Sequence, residues 1–377
     1  MRLLLDVSAV PERPVGAGYY TLNIAAHLAR RPEVETHLLC RQGDGARWAA
    51  LAPEARVHDE VPAGRPARLV WEQARAGRLA SLLGIDVWHG PHYTMPLRLN
   101  VPAVVTVHDL TFFEHPEWHE RGKVAYFRPM IRAATRRAAV VIAVSEDTAR
   151  RLQALAPPLG PIVVAPHGVD HERFTPVVDH DDDATLASHG IRAPFVAFTG
   201  TIEPRKGLPT LVEAFARVAC DDRRLRLVLA GGDGWGSDLV RDAVASSGVP
   251  TRVLRPGYLP DSAIPPLFRR AAVVAYPSLA EGFGLNALEA LACGAPLVTT
   301  TGSALDEVVG DAAIKVAPGD VDALADALHE ALKPEVAARL RAAGPPRATH
   351  FTWERSVDRH IDAYRLATTP LDARAQA

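Results

Sequence analysis

The sequence predicts an α/β protein built from two doubly wound domains, each a parallel sheet covered by helices. Short β-branched runs ending in Gly, Ser, Asp or His alternate with amphipathic Ala/Leu/Arg stretches of helical length. This punctuation occurs in two series that match in number and style. Runs such as AVVTV and VVIAV are apolar throughout, as expected of strands buried on both faces and therefore of parallel sheets. A chain of 377 residues fits two domains at roughly 100–200 residues each, with a single barrel as the competing architecture.

In the first half, strands are expected near Arg2–Val7, Thr36–Cys40, Val87–His89, Ala103–His108, Val140–Val144 and Ile162–Ala165. In the second half they fall near Phe195–Thr199, Arg226–Ala230, Arg252–Leu254, Val273–Tyr276, Leu297–Thr300 and Ile314–Val316. The stretch Asp170–Gly190 lacks apolar periodicity and contains Pro176 and the run from Asp179 to Asp183. It separates a first domain, residues 1–175, from a second, residues 191–350, with 176–190 as linker. The run could hold a cation through His180 and its carboxylates, but unbroken like charge in a linker usually marks a solvated segment. Residues 351–377 should form one more amphipathic helix and a tail. Two doubly wound halves turn their strand carboxyl ends, and hence their ligand loops, toward a shared crevice.

Lys+Arg 42 against Asp+Glu 44 gives a formal charge of −2, so no overall field favours nucleic acid. Cys40, Cys220 and Cys293 are too few and too scattered for a disulfide framework or a thiolate metal site, which points to a reducing cytoplasm. The N-terminal apolar run, Leu3–Leu5, is too short for a signal sequence, and no run approaches a membrane span. Membrane contact would be peripheral.

The strongest chemical signal runs from Ser278 to Pro296. Gly282 and Gly284 permit close backbone approach to a ligand, and free N–H groups where a helix opens near Leu285 form an anion site. Glu281 in the loop and Glu289 about a turn into the helix can meet different parts of one elongated ligand. Taken singly they read as a cap and a solvated helical acid. A second signal, from Phe198 to Gly207, sets Arg205 and Lys206 side by side where a strand gives way to a helix. Lysine occurs only at 123, 206, 315 and 333, and paired cations oppose a helix dipole unless an anion is near. They suit a diphosphate. A third places His108 at the end of the strand AVVTV, with Asp109 beside it as a turn or cap residue. His89 and His92 end another strand and are candidates for an acceptor pocket. Gly16 and Gly18 precede a helix, although GxG alone is weak.

Cations and a helix N-terminus for a diphosphate, with carboxylates for hydroxyls, suit sugar transfer from a nucleotide. The string EGFGLNALEALACGAP resembles the E-x7-E signature of the family 4 retaining glycosyltransferases of GT-B fold, and GTIEPRKG resembles their GTxEPRKN loop, especially in bacterial mannosyltransferases. The resemblance spans nearly the whole chain. It implies that Glu281 meets the donor sugar and Glu289 the ribose, that the backbone from Gly282 through Phe283 and Gly284 to Leu285 lies beside sugar and phosphate, and that Arg205 and Lys206 carry the phosphate charge. It places His108 near the reaction centre and Gly16 and Gly18 against donor phosphate and acceptor. Asn286 stands where proline is common, and Gly207 where asparagine is. The implied reaction retains anomeric configuration by a front-face route in which the leaving phosphate helps deprotonate the acceptor hydroxyl. No cofactor or metal is expected, since the cations serve instead. GDP-mannose is the favoured donor and a UDP-sugar the alternative; the acceptor hydroxyl belongs to a glycan, a lipid-linked or a small molecule. A glycoside hydrolase using Glu281 and Glu289 leaves Arg205 and Lys206 without a role. A nucleotide-sugar epimerase and a non-catalytic sugar-binding subunit are the other rivals.

Overall fold

A strand that is apolar on both faces needs cover on both, and the first seven strands meet that need in one parallel sheet. They are β1 (Arg2–Asp6), β2 (Glu35–Arg41), β3 (Arg56–Val61), β4 (Val87–Gly90), β5 (Ala103–Val107), β6 (Val140–Ala143) and β7 (Ile162–Val164). Their order is β3-β2-β1-β4-β5-β6-β7. The computed structural model describes residues 1–369. The second sheet comprises β8 (Phe195–Thr199), β9 (Arg226–Ala230), β10 (Val253–Gly257), β11 (Val273–Tyr276), β12 (Leu297–Thr300) and β13 (Ile314–Val316), in the order β10-β9-β8-β11-β12-β13. All pairings are parallel, with Leu3 opposite Val87 in the first sheet and Val273 opposite Val196 in the second. Leu3, Leu4 and Leu5 on β1 and Phe195, Val196 and Ala197 on β8 have no solvent exposure. Each Leu or Phe buried this way contributes about 1.5–3 kcal/mol.

Strand order reverses between β1 and β4, and again between β8 and β11. At such a switch point the loops leaving the carboxyl ends diverge and open a crevice. The loops that follow β8 and β11 carry the Arg205-Lys206 and Glu281 motifs.

The sequence reading differs from the structure in three places. It omitted β3, whose sequence RVHDEV is too polar to read as a buried strand because β3 is the sheet edge, paired on one side only, with β2. The chain divides into two compact units, Met1–Glu114 with Arg121–Gly168 and the segment from Trp353 onward, and His115–Glu120 with Val169–Thr352. The expected linker, 176–190, thus belongs to the second unit, where it contains the helix Asp182–Ser188. Its acids escape apolar periodicity because they are neutralised in register. Arg269 binds Asp182 through two hydrogen bonds, that from Nε being 2.8 Å, and Arg270 Nε lies 2.7 Å from Asp183 Oδ1. The helix Trp353–Thr368, expected to follow the second domain, packs on the first unit, where Arg31 Nη1 bonds Asp358 at 2.6 Å. The tail beyond Thr369 lies outside the described residues.

The two adjacent ion pairs differ in burial. Asp182 is 2% exposed, whereas the side chain of Asp183 is 67% exposed. Asp182→Ala leaves Arg269 buried without its partner and should cost about 3–5 kcal/mol. Asp183→Ala should cost no more than ~1 kcal/mol. Chemical denaturation of the two variants checks this, and equal losses would contradict it.

Candidate functional site

β8 ends at Thr199 and the chain turns through Gly200 to a short 3-10 turn, Pro204–Lys206. Gly207 then takes φ +62° to start the helix Leu208–Val218, and a Cβ there would collide with the carbonyl of Pro277. The two loops are therefore in backbone contact. Leu279 N donates to the carbonyl of Arg205 at 2.8 Å.

Within this contact the two sequence motifs become one cluster. Arg205 Nη1 donates to Glu281 Oε2 at 2.5 Å, and Lys206 Nζ to Glu281 Oε1 at 2.6 Å. Ser278 Oγ donates to the same Oε1 at 2.8 Å. Arg205 also reaches Glu203 Oε1 at 2.7 Å through Nη2. Two cations thus face two carboxylates. Burial raises the Glu281 carboxyl, but Arg205 and Lys206 outweigh it and hold the group at about 2. The stability gained from this ionised form is present above its ordinary value of 4.5 and is lost as pH falls toward 2.

Gly282 and Phe283 lead to Gly284, whose φ of +98° suits glycine and whose absent Cβ leaves room for the Leu305 side chain. The helix Leu285–Ala292 follows, and its first-turn N–H groups point back along the axis without intrahelical partners. Glu289 is one turn further in. Burial pushes its carboxyl up to about 8; Arg173 opposes the shift and Asp261 adds to it. Glu281 and Glu289 therefore stand in opposite states near neutral pH, one ionised and one protonated.

Asn286 was read from sequence only as a departure from proline. Its Nδ2 donates to the Thr199 carbonyl at 3.0 Å and to Thr199 Oγ1 at 2.9 Å, and Tyr276 Oη lies 2.6 Å from the same Oγ1. Asn286 therefore ties the helix to the carboxyl end of β8. A proline would lack this amide, so the departure itself was the available signal.

His108, Gly16 and Gly18 belong to the first unit. Gly16, at φ +45°, opens the helix Ala17–Ala29, and a Cβ on Gly18 would press on Pro14 Cβ at 3.0 Å. His108 follows β5 and donates from Nε2 to the Pro91 carbonyl at 2.8 Å. Burial lowers its pKa, so the ring is neutral with Nδ1 left as acceptor. Asp109 caps the next turn by accepting from Thr111 N at 3.1 Å. His89 does not line an open pocket as expected; it has no solvent exposure and is hydrogen-bonded on both ring nitrogens. Asp179, His180 and Asp181 lie within 4.8 Å of one another, all exposed. Among the described residues no helix is long and apolar enough to cross a membrane.

Two doubly wound parallel sheets with a charged, glycine-lined cluster at a switch point are the architecture of the GT-B fold. Residues 14–173 match the model of glycosyltransferase family 4, and residues 193–334 that of the glycosyl transferases group 1. The O-antigen chain mannosyltransferase B of Escherichia coli is 27% identical over 97% of this chain and 100% of its own. A D-inositol 3-phosphate glycosyltransferase of Mycolicibacterium paratuberculosis is 30% identical over 93% of this chain and 86% of its own. Among solved structures, sucrose-phosphate synthase from Thermosynechococcus elongatus superposes with TM-score 0.78 at 21% identity, covering both chains fully. Anabaena HepE, solved with UDP and glucose, superposes with TM-score 0.76 at 22% identity over 96% of this chain and 98% of its own. The chain belongs to glycosyltransferase family 4. It is an enzyme that transfers a sugar.

The Arg205–Glu281 pair should be energetically coupled because each partner is mostly buried, with side chains 17% and 9% exposed. Arg205→Ala and Glu281→Ala should each destabilise the fold, and the double variant should lose less than their sum by about 1–3 kcal/mol. Denaturation of the four proteins measures the coupling, and additive losses would show that the contact is energetically idle.

Proposed function

We propose that this enzyme transfers mannose from GDP-mannose, with retention of anomeric configuration, to a hydroxyl of a glycan, lipid-linked or small-molecule acceptor, without a divalent metal. The carrying observation is the Arg205–Lys206–Glu281 cluster at adjacent strand ends. When the bond from the anomeric carbon to the leaving phosphate breaks, negative charge gathers on the β-phosphate. Arg205, Lys206 and the N–H groups opening the helix Leu285–Ala292 are the groups suited to receive it. Glu281, with both oxygens hydrogen-bonded, holds the cations rather than attacking carbon, which supports a front-face route over a covalent one. GDP-mannose is favoured by the EPRK run and by the mannosyltransferase relative. The structural likeness to a protein solved with UDP and glucose keeps a UDP-sugar as the alternative.

Calorimetric titration with GDP-mannose and UDP-glucose in the presence of EDTA tests donor and metal together. Glu289→Ala should weaken nucleoside diphosphate binding, since a hydrogen bond from a carboxyl group to ribose contributes ~1.5–3 kcal/mol. Glu281→Ala should lower turnover by much more than it lowers nucleoside diphosphate affinity. Equal loss of affinity in both variants would sink this division between sugar and ribose.

For the acceptor side we propose peripheral contact with an anionic lipid surface. The helices Arg65–Leu82 and Arg121–Arg137 carry Arg65, Arg68, Arg75 and Arg78, and Arg121, Lys123, Arg128, Arg132, Arg136 and Arg137. Their only carboxylate is Glu72, 3% exposed. Both helices connect strands in the same direction across the sheet, so right-handed crossovers put them on one face. Their buried residues Ala76, Ala80, Ile131 and Ala134 share one core cluster. Exposed Val70 and Leu82 add apolar contact. Replacing Arg75, Arg78, Arg132 and Arg136 by Glu should abolish sedimentation with phosphatidylglycerol vesicles, at about 1 kcal/mol per cation removed. Equal binding to neutral phosphatidylcholine vesicles, or no effect of the reversal, would reject this contact.

A further inference from the structure

Six residues of the first unit form a buried file of hydrogen bonds that the proposed chemistry does not use. The Ser356 carbonyl lies 2.6 Å from His360 Nδ1, and His360 Nε2 lies 2.7 Å from Tyr20 Oη. Tyr20 Oη lies 2.8 Å from Thr106 Oγ1, which lies 2.8 Å from His89 Nε2. His89 Nδ1 lies 2.8 Å from Tyr364 Oη. The side chains of Tyr20, His89, Thr106, His360 and Tyr364 have no solvent exposure.

One end of the file sets every proton in it. A carbonyl can only accept, so His360 carries its proton on Nδ1. Burial keeps that ring neutral, leaving Nε2 bare, and Tyr20 must donate to it. A hydroxyl has one proton, so Tyr20 accepts from Thr106. Thr106, its proton likewise spent, accepts from His89 Nε2–H. His89 is held neutral by burial, so its bare Nδ1 accepts from Tyr364. All five bonds run in one direction, and both nitrogens of each ring and all three hydroxyls of the file are paired, an arrangement that polarises each bond and fixes one geometry.

The file meets the candidate site at two points. Thr106 is two residues before His108, so the two side chains share one face of the strand end. Tyr20 belongs to the helix opened by Gly16, and its ring meets that of His108 edge-on, with centroids 4.9 Å apart at 79°. We propose that Tyr20, Thr106, His89, His360 and Tyr364 are positioning residues, a one-directional hydrogen-bond file that fixes the His108 imidazole and the helix behind the glycine loop for sugar transfer. The functional half of this inference rests on the proposed sugar transfer and on the placement of His108 near the reaction centre that the family resemblance implies; the proton assignment does not.

Nitrogen-15 spectra of imidazole-labelled enzyme, assigned through His89→Gln and His360→Gln variants, should show His360 protonated on Nδ1 and His89 on Nε2. The opposite tautomer at either ring overturns the file whatever the enzyme's activity. Thr106→Val removes the central hydroxyl while keeping shape. It should lower kcat by about tenfold or more with donor KM within about twofold, and Thr106→Ser should recover most of the loss. Wild-type kcat in Thr106→Val, or an equal loss in Thr106→Ser, overturns the positioning role. Should Thr106→Val not fold, Tyr364→Phe, which trims only the far end of the file, should still lower kcat at unchanged donor KM, and unchanged kcat there overturns it as well. If the wild-type chain itself transfers no sugar, the proposed function fails while the tautomer result stands.

Discussion

The second unit depends on one carboxylate held by two cations. Glu281 sits in a glycine-flanked loop with no regular hydrogen bonding of its own, and Arg205 and Lys206 sit in another. Each loop is anchored by one buried apolar side chain, Ile202 in the first and Phe283 in the second. Their mutual geometry is set by the ion cluster, the Leu279 to Arg205 backbone bond and the close approach of Gly207 to Pro277. A neutral pair of loops could take many arrangements. The cluster selects one before any ligand binds, so the cost of assembling two like charges side by side is met during folding rather than at binding.

This constraint explains the residues around it. Ser278 supplies a third donor to Glu281, so neither oxygen is left to solvent. Glu203 takes the second arm of Arg205 and fixes the guanidinium plane. Asn286 fastens the helix start to Thr199, which keeps the N–H groups of that helix at the strand end where the cations lie. The switch between β8 and β11 makes these contacts possible, since only there do loops from adjacent strands diverge enough to leave a space between them.

The strands of both sheets were legible because burial on both faces leaves an unbroken apolar run, and the two motifs because glycines and charges at fixed short spacing are a local signal. What is not local was not legible. Arg205 and Glu281 are separated by 76 positions, and nothing in either motif states that the two touch. The helix Asp182–Ser188 was hidden because its acids find arginines 87 positions away. β3 was hidden by lying at an edge, and the docking of Trp353–Thr368 on the first unit because an apolar face such as Val357 and Ile361 does not name its partner, while His360 and Tyr364 bond residues 340 and 275 positions away. His89 was misread for the related reason that a histidine at a strand end looks the same in sequence whether it faces a pocket or completes a buried file.

The two units solve the problem of polar groups at strand ends in opposite ways. The second unit concentrates full charges and balances them with one another. The first unit keeps its cluster uncharged: burial lowers the pKa of His89, His92, His108, His167 and His360 alike. Asp109 favours the charged form of His92 and His108, but burial outweighs it, so neutrality and fixed tautomers follow from burial itself. This difference bears on what each unit can recognise. Paired cations favour an anion, whose charge replaces carboxylate contacts. A neutral His108 whose Nε2–H is committed to Pro91 offers only a lone pair on Nδ1. A lone pair accepts a hydroxyl proton and repels an anion, so the chemistry at that position matches a sugar or acceptor hydroxyl rather than a phosphate.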